Sequence, residues 1–150
     1  MAVGEESLPA LLPVQGVRLG TVSACIRKTG RKDLGLVELA EGTAGAAGFT
    51  RNAFCAAPVT VAREHLQASG GRPRYLLINT GNANAGTGPD GIAAATTTTA
   101  AVAATGLVDE NAVLPVSTGV SGEPLPLERV TSALPAAFDA LAETGWADAA

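Results

Sequence analysis

Two strand–loop–helix units follow one another in the second half of the chain, and they constrain the fold more than any other feature of the sequence. Residues 75–79 read as a short apolar strand, followed by an Asn/Gly loop. A helix then runs over about 91–104, with Asp90 as N-cap and Gly106 as the C′ residue. The pattern repeats with a strand over 113–117, a Gly-containing turn, and a helix over 127–134 opened by Pro126. Pro135 is expected to break or kink that helix, and 136–143 to resume it. Consecutive strand–loop–helix units imply an α/β arrangement with parallel pairing, and in such sheets functional loops gather at the carboxyl ends of the strands.

The first half reads differently. Residues 14–26 and 34–40 are rich in apolar and β-branched residues and are separated by the turn-prone, basic stretch 27–33. A third, weak strand is expected over 44–50, where glycines offer no side chain to pack. Pro58 then stands near the start of a helix over 59–67, closed by Gly70 and Gly71. No linker or repeat divides the 150 residues, which fit one domain. Hydrophobic residues make up 47%, but 30 of them are Ala and only five are aromatic. Alanine removes little area from water, so the core is thin for this length. With 16% charged residues against a typical ~25%, the composition fits a domain that shares its core with something else.

Composition also excludes function classes. A mean hydropathy of +0.26 argues against disorder. Glu5 and Glu6 near the N-terminus, without a basic and then an apolar run, give no secretory signal, so a cytoplasmic setting is expected. The long charge-free stretch between Asp90 and Asp109 is Ala-, Thr- and Gly-rich and reads as a buried helix, not a membrane span. Cys25 and Cys55 have neither zinc spacing nor the makings of a disulfide framework; with a single histidine, no metal site is expected. Residues 1–75 carry nine basic and six acidic groups, residues 76–150 one and eight. Arg27, Lys28, Arg31 and Lys32 form one basic cluster with no aromatic interleaving, which reads as a solvated loop and not as a nucleic-acid surface.

Four constellations compete for chemistry. Gly86-Thr87-Gly88-Pro89-Asp90-Gly91 satisfies G-x-G-x-x-G, with Asp109 18 residues beyond. The dinucleotide fingerprint, however, needs its glycines directly after the strand and its acid at a strand end, and neither holds here. Ser121 misses the nucleophile-elbow pattern by one position, and His65 reads as a lone surface histidine, not its base. The loop Asn79-Thr80-Gly81-Asn82-Ala83-Asn84-Ala85-Gly86-Thr87-Gly88 is either a structural turn network or a wall of amides and backbone N–H groups gripping a polar substrate. A strand ending in Thr118-Gly119 can aim a hydroxyl and a backbone N–H at one spot, as an oxyanion hole requires, but the dipeptide also marks ordinary turns.

These loops, in their order, resemble the glutamate N-acetyltransferase (ornithine acetyltransferase) family. The stretch from Tyr75-Leu76-Leu77-Ile78 through the Asn/Gly loop is similar to the family's Asn/Gly segment. Thr50-Arg51-Asn52-Ala53-Phe54-Cys55-Ala56-Ala57-Pro58-Val59 is similar to its "TxNxFxAAPV" segment, and Leu114-Pro115-Val116-Ser117-Thr118-Gly119-Val120 to its "STGV" segment, followed by Glu123-Pro124-Leu125-Pro126. Gly16-Val17-Arg18-Leu19-Gly20 fits the family's start, and the likeness covers about residues 14–142.

The resemblance implies half of a layered α/β sandwich with a mixed sheet, of the self-processing aminopeptidase/ornithine-acetyltransferase type. It implies transfer of acetyl from N2-acetylornithine to glutamate in arginine biosynthesis, with acetyl-CoA as a further donor in some members and no bound cofactor. The family's precursor cleaves itself at an Ala-Thr bond, and the freed N-terminal Thr attacks with its own α-amine as base, so no histidine is needed. Thr118 and Gly119 would then form the oxyanion hole through the Thr hydroxyl and the Gly N–H. The family's "TTDT" segment, its substrate-binding Lys and its Gly-Met-Ile…Asn-Met-Ala run are missing: the last threonine is Thr144 and the only lysines are Lys28 and Lys32. The chain is therefore expected to be one incomplete domain over 1–150, most of an α subunit, inactive without the β subunit that carries the nucleophile and normally completes an α2β2 assembly. Asn82 and Asn84 are expected to shape their loop and not to ligate substrate. Rival expectations are a related self-cleaving aminopeptidase or amidase, an acyltransferase of secondary metabolism, and an inactive fragment that oligomerises or binds a partner. Neither nucleic acid nor membrane is an expected partner.

Overall fold

The computed structural model describes residues 10–150; the reading of Glu5 and Glu6 lies outside them. In chain order the elements are β1 (Val17–Val22), β2 (Leu34–Leu39), α1 (Ala57–Ala68), β3 (Tyr75–Asn82), α2 (Gly88–Gly106), a 3-10 turn (Glu110–Ala112), β4 (Val113–Val120), α3 (Leu127–Asp139) and the short α4 (Trp146–Ala149). The strands form one mixed sheet in the order β1-β2-β3-β4. β1–β2 and β2–β3 are antiparallel, while β3–β4, joined through α2, is parallel. The α/β class and the parallel pair in the second half are as the sequence implies.

Alternation divides the sheet into two unlike faces. Leu34, Leu36, Tyr75, Leu77 and Val113 lie on one face and join Val102 and Ala103 of α2 and Val130, Leu134 and Ala137 of α3 in a single core. α2 lies against β3 and β4, α3 against β1 and β2, and α1 against β4 and α2. The opposite face carries Thr21, Val37, Leu76, Ile78, Thr80, Val116 and Thr118. Leu19 and Leu114 of this face are buried, and the end of α4 reaches it, where the Thr21 hydroxyl donates to the Asp148 carbonyl. Val37, Leu76 and Ile78 are half-buried, and Val116 is 41% exposed.

Several boundaries differ from expectation, each for a local reason. The strand expected over 14–26 holds only at Val17–Val22, because the buried Asp33 carboxylate accepts the N–H groups of Ala24 and Ile26 at 2.6 Å each and draws that segment out of the ladder. Residues 44–50 form no strand; Gly45 instead donates its N–H to the Gly71 carbonyl. Thr87, not Asp90, is the N-cap of α2, and Asp90 sits in its first turn. At the other end Leu107 takes the left-handed cap (φ 54°), while Gly106 remains helical. Gly106 is needed for space: a Cβ there would lie 2.6 Å from the Tyr75 ring. α3 runs through Pro135 without a break. Pro135 faces solvent, where water can satisfy the carbonyl that its missing N–H leaves unpaired, and buried Leu134 and Ala137 anchor both sides. The helix ends at Asp139, and residue 142 bridges back to Leu19 of β1.

Candidate active site

Both strands of the parallel pair run further than their apolar cores. Asn79↔Ser117, Thr80↔Thr118, Gly81↔Gly119 and Asn82↔Val120 continue the register, so Thr118 and Gly119 lie within β4 and not in a loop beyond it, and the Asn/Gly loop begins as strand. Glycine makes this possible. Gly81 has φ 95° and Gly119 φ 136°, and a Cβ on Gly119 would stand 2.3 Å from the Gly81 carbonyl carbon. The two backbones thus meet at a point where no other residue fits. Thr80 and Thr118, one step before, are both exposed on the open face, and neither hydroxyl bonds another side chain or carbonyl among the described residues.

The asparagines hold this strand end and are consumed in doing so. The Ser117 hydroxyl donates to Asn79 Oδ1 at 2.5 Å, and Asn79 Nδ2 donates to the Asn82 carbonyl at 2.8 Å. Asn82 Nδ2 donates to the carbonyls of Glu123 and Pro124 at 3.1 and 3.0 Å, while its Oδ1 accepts the Asn84 N–H at 2.7 Å. Asn84, fully buried at φ 46°, donates Nδ2 to the Gly91 carbonyl and accepts the Thr87 hydroxyl, each at 2.8 Å. Buried amides spent on backbone groups cannot also grip a substrate, so the loop is the turn network and its substrate-wall reading is set aside. Sequence spacing shows three amides together; it does not show which way they face.

The other constellations come apart. Gly91 is glycine because a Cβ would strike Thr87 Oγ1 at 1.9 Å, which makes it a packing position and not a phosphate cradle. Asp109 caps the 3-10 turn ahead of β4 by accepting the Asn111 N–H. His65 is not on the surface: it is 8% exposed, and its Nδ1 lies 2.8 Å from the Val113 carbonyl. That pins α1 to the start of β4, while Ser121 follows the strand's other end. A single polar residue on the buried face of a helix gave no sign of its partner. Cys25 and Cys55 are free, and among the described residues no group of three His, Cys, Asp or Glu side chains could hold a metal. No helix of the described residues is long and apolar enough to cross a membrane.

A second polar cluster, unseen in the sequence, lies at the far end of the sheet. Arg18 donates to Glu38, whose other oxygen accepts the Tyr75 hydroxyl at 3.0 Å. The Arg18 hydrogen bond, helped by Tyr75, holds the Glu38 carboxyl below the usual carboxylate range, and the pair raises Arg18. Burial, then the hydrogen bond to Glu38, pushes the Tyr75 phenol up. Tyr75 also stacks at a tilt on Phe138 of α3, with ring centroids 5.4 Å apart. The cluster ties β1, β2, β3 and α3 together at the end of the sheet opposite Thr118.

Fold and site together define a mixed-sheet α/β protein with one covered face and a Thr/Gly strand end on the other. The ArgJ family model matches residues 18–150. The chain is 57% identical over 140 residues to the arginine biosynthesis bifunctional protein ArgJ of Methylococcus capsulatus, covering 93% of this chain and 34% of that protein. It is 55% identical over 150 residues to the ArgJ protein of Pseudomonas syringae pv. tomato, covering 100% and 36%. Among solved structures it resembles ArgJ from Bacillus halodurans (TM-score 0.76, 35% identity, 80% of this chain and 62% of that one). It also resembles the ornithine acetyltransferase of Mycobacterium tuberculosis complexed with ornithine (TM-score 0.80, 35% identity, 87% and 69%). The chain belongs to the ArgJ family, and it spans about a third of the length of the curated relatives it matches.

Proposed function

We propose that this chain is the oxyanion-supplying part of an acetyltransferase that moves acetyl from N2-acetylornithine to glutamate, with acetyl-CoA as a further donor, in the cytoplasm. The observation that carries the reading is the exposed Thr118-Gly119 strand end, locked by a glycine pair, in a chain 55–57% identical to ArgJ proteins. Attack on an acetyl carbonyl places negative charge on its oxygen. A hydroxyl on rigid strand backbone, already oriented, stabilises that charge without reorganising as it develops. The Thr118 hydroxyl and the Gly119 N–H take that role. The attacking group is the N-terminal Thr of a complementary β part, with its own α-amine as base. The buried asparagines and His65 hold the scaffold without touching substrate.

The open sheet face supports the same reading. Val37, Leu76, Ile78 and Val116 present apolar surface beside Thr118, and the complementary part covers them, giving the two-layer sandwich and an α2β2 assembly. The test is complementation. The chain as its gene produces it is assayed for acetyl transfer from N2-acetylornithine to glutamate, alone and after coexpression with the remaining two-thirds of the Pseudomonas syringae relative. Activity is expected only in the second case. Transfer by the chain alone contradicts the proposal, and so does a stable complex that stays inactive on these substrates yet cleaves peptide amides.

A further inference from the structure

We propose that the hollow between the β1–β2 loop and the end of β3 binds a small phosphate-bearing anion. The hollow measures about 320 Å³ and is lined by Arg27, Lys28, Arg31, Asp33, Thr80 and Gly81. Three of its six residues are cations, in a chain whose net charge is −4. Asp33 offsets one of these charges, and its two oxygens, taken by the N–H groups of Ala24 and Ile26, form no ion pair with the three cations. Those bonds also fix the loop's starting geometry. Arg27 stands over Gly81, where a Cβ would meet its own Cβ at 3.0 Å, and its guanidinium is braced by Glu123 at 2.8 Å. Lys28 and Arg31 are exposed and have no ion-pair partner among the described residues. Two unpaired cations match the charge of a phosphate monoester, about −1.5 to −2 near neutral pH. Arg31 supplies a planar fork for two phosphate oxygens, Lys28 a point charge, and the Thr80 hydroxyl a neutral donor at the rim. A short basic loop folded around a concavity favours a small anion over a nucleic-acid strand, which would need an extended basic stripe.

The hollow borders the strand end through Thr80 and Gly81, but its test reads binding alone and stands apart from acetyl transfer. The protein is titrated calorimetrically with inorganic phosphate, phenyl phosphate and succinate at low and at physiological salt. Saturable binding of phosphate or phenyl phosphate is expected, weakening with salt, and at least tenfold weaker in the double variant Lys28→Gln/Arg31→Gln. Both positions are exposed loop, so the melting temperature of that variant is expected to stay unchanged, and Arg51→Gln, outside the hollow, to bind like the unaltered protein. Phenyl phosphate binding more tightly than the free ion assigns the site to an ester, and the reverse order to inorganic phosphate. No saturable binding, equal affinity in the double variant, or succinate binding as tightly as phosphate overturns the proposal.

Discussion

Thr118 and Gly119 show how much a single position can be asked to do. Their register partners, Thr80 and Gly81, repeat the same residue types one strand away, so this strand end is built from two paired backbones and not from one loop. Gly119 carries the tighter constraint, combining φ 136° with a Cβ position 2.3 Å from a carbonyl carbon. Replacing it with Ala is expected to cost about 2–4 kcal/mol of stability through strain and displaced backbone, read as a lowered urea midpoint with unchanged slope. An unchanged midpoint would mean that β3 and β4 can move apart there. The sequence made glycine visible at these positions without its reason. Gly106 shows why the distinction matters: it reads as a helix terminator, yet it is kept for contact with Tyr75, and Leu107 takes the left-handed turn. A glycine that answers to a distant ring cannot be told from one that answers to its own φ.

Among the elements, the β3–α2–β4 unit was legible because short apolar runs, Asp90 at the helix start and Gly106 at its end coincide. Its strands were underestimated because Asn and Gly are poor strand formers. Parallel pairing with a partner of the same kind, plus the Asn79–Ser117 and Asn82–Glu123 links, overrides that preference. Residues 44–50 failed in the opposite direction: a stretch of Ala and Gly with Phe49 as its one large side chain had little to bury and no strand to join. Pro135 in α3 likewise yields to the buried residues on both sides of it. The opposite end of the sheet depends on Glu38. Its carboxyl is held below the ordinary value of 4.5, so the stabilisation is complete above that value and is lost as pH falls through the lower folded-state one. Unfolding monitored below pH 4.5 is expected to show an acid limb that Glu38→Gln flattens. A limb of the same depth in that variant would assign acid loss to other carboxylates.

At the scale of the whole molecule, the thin core anticipated from 30 alanines corresponds, among the described residues, to a core cluster packed on one face of the sheet. Composition reported the shortage of large apolar side chains; alternation in four strands shows which sheet face they serve. The basic cluster at 27–32 was legible as an exposed loop, but its wrapping around Thr80 and Gly81 depends on Asp33 turning inward, which no spacing reveals. Family membership places the chain beside proteins about three times its length, so its chemistry is tested in a completed assembly. The most direct measurement is kcat for transfer of acetyl from N2-acetylornithine to glutamate in the complemented protein, with Thr118 and with Thr118→Ala. Thr118 is exposed, so the variant is expected to fold and assemble normally. A fall of about 10²–10³-fold in kcat, the effect of one lost oxyanion donor, is the predicted result. A complemented Thr118→Ala protein that turns over within a factor of two of its parent would contradict it.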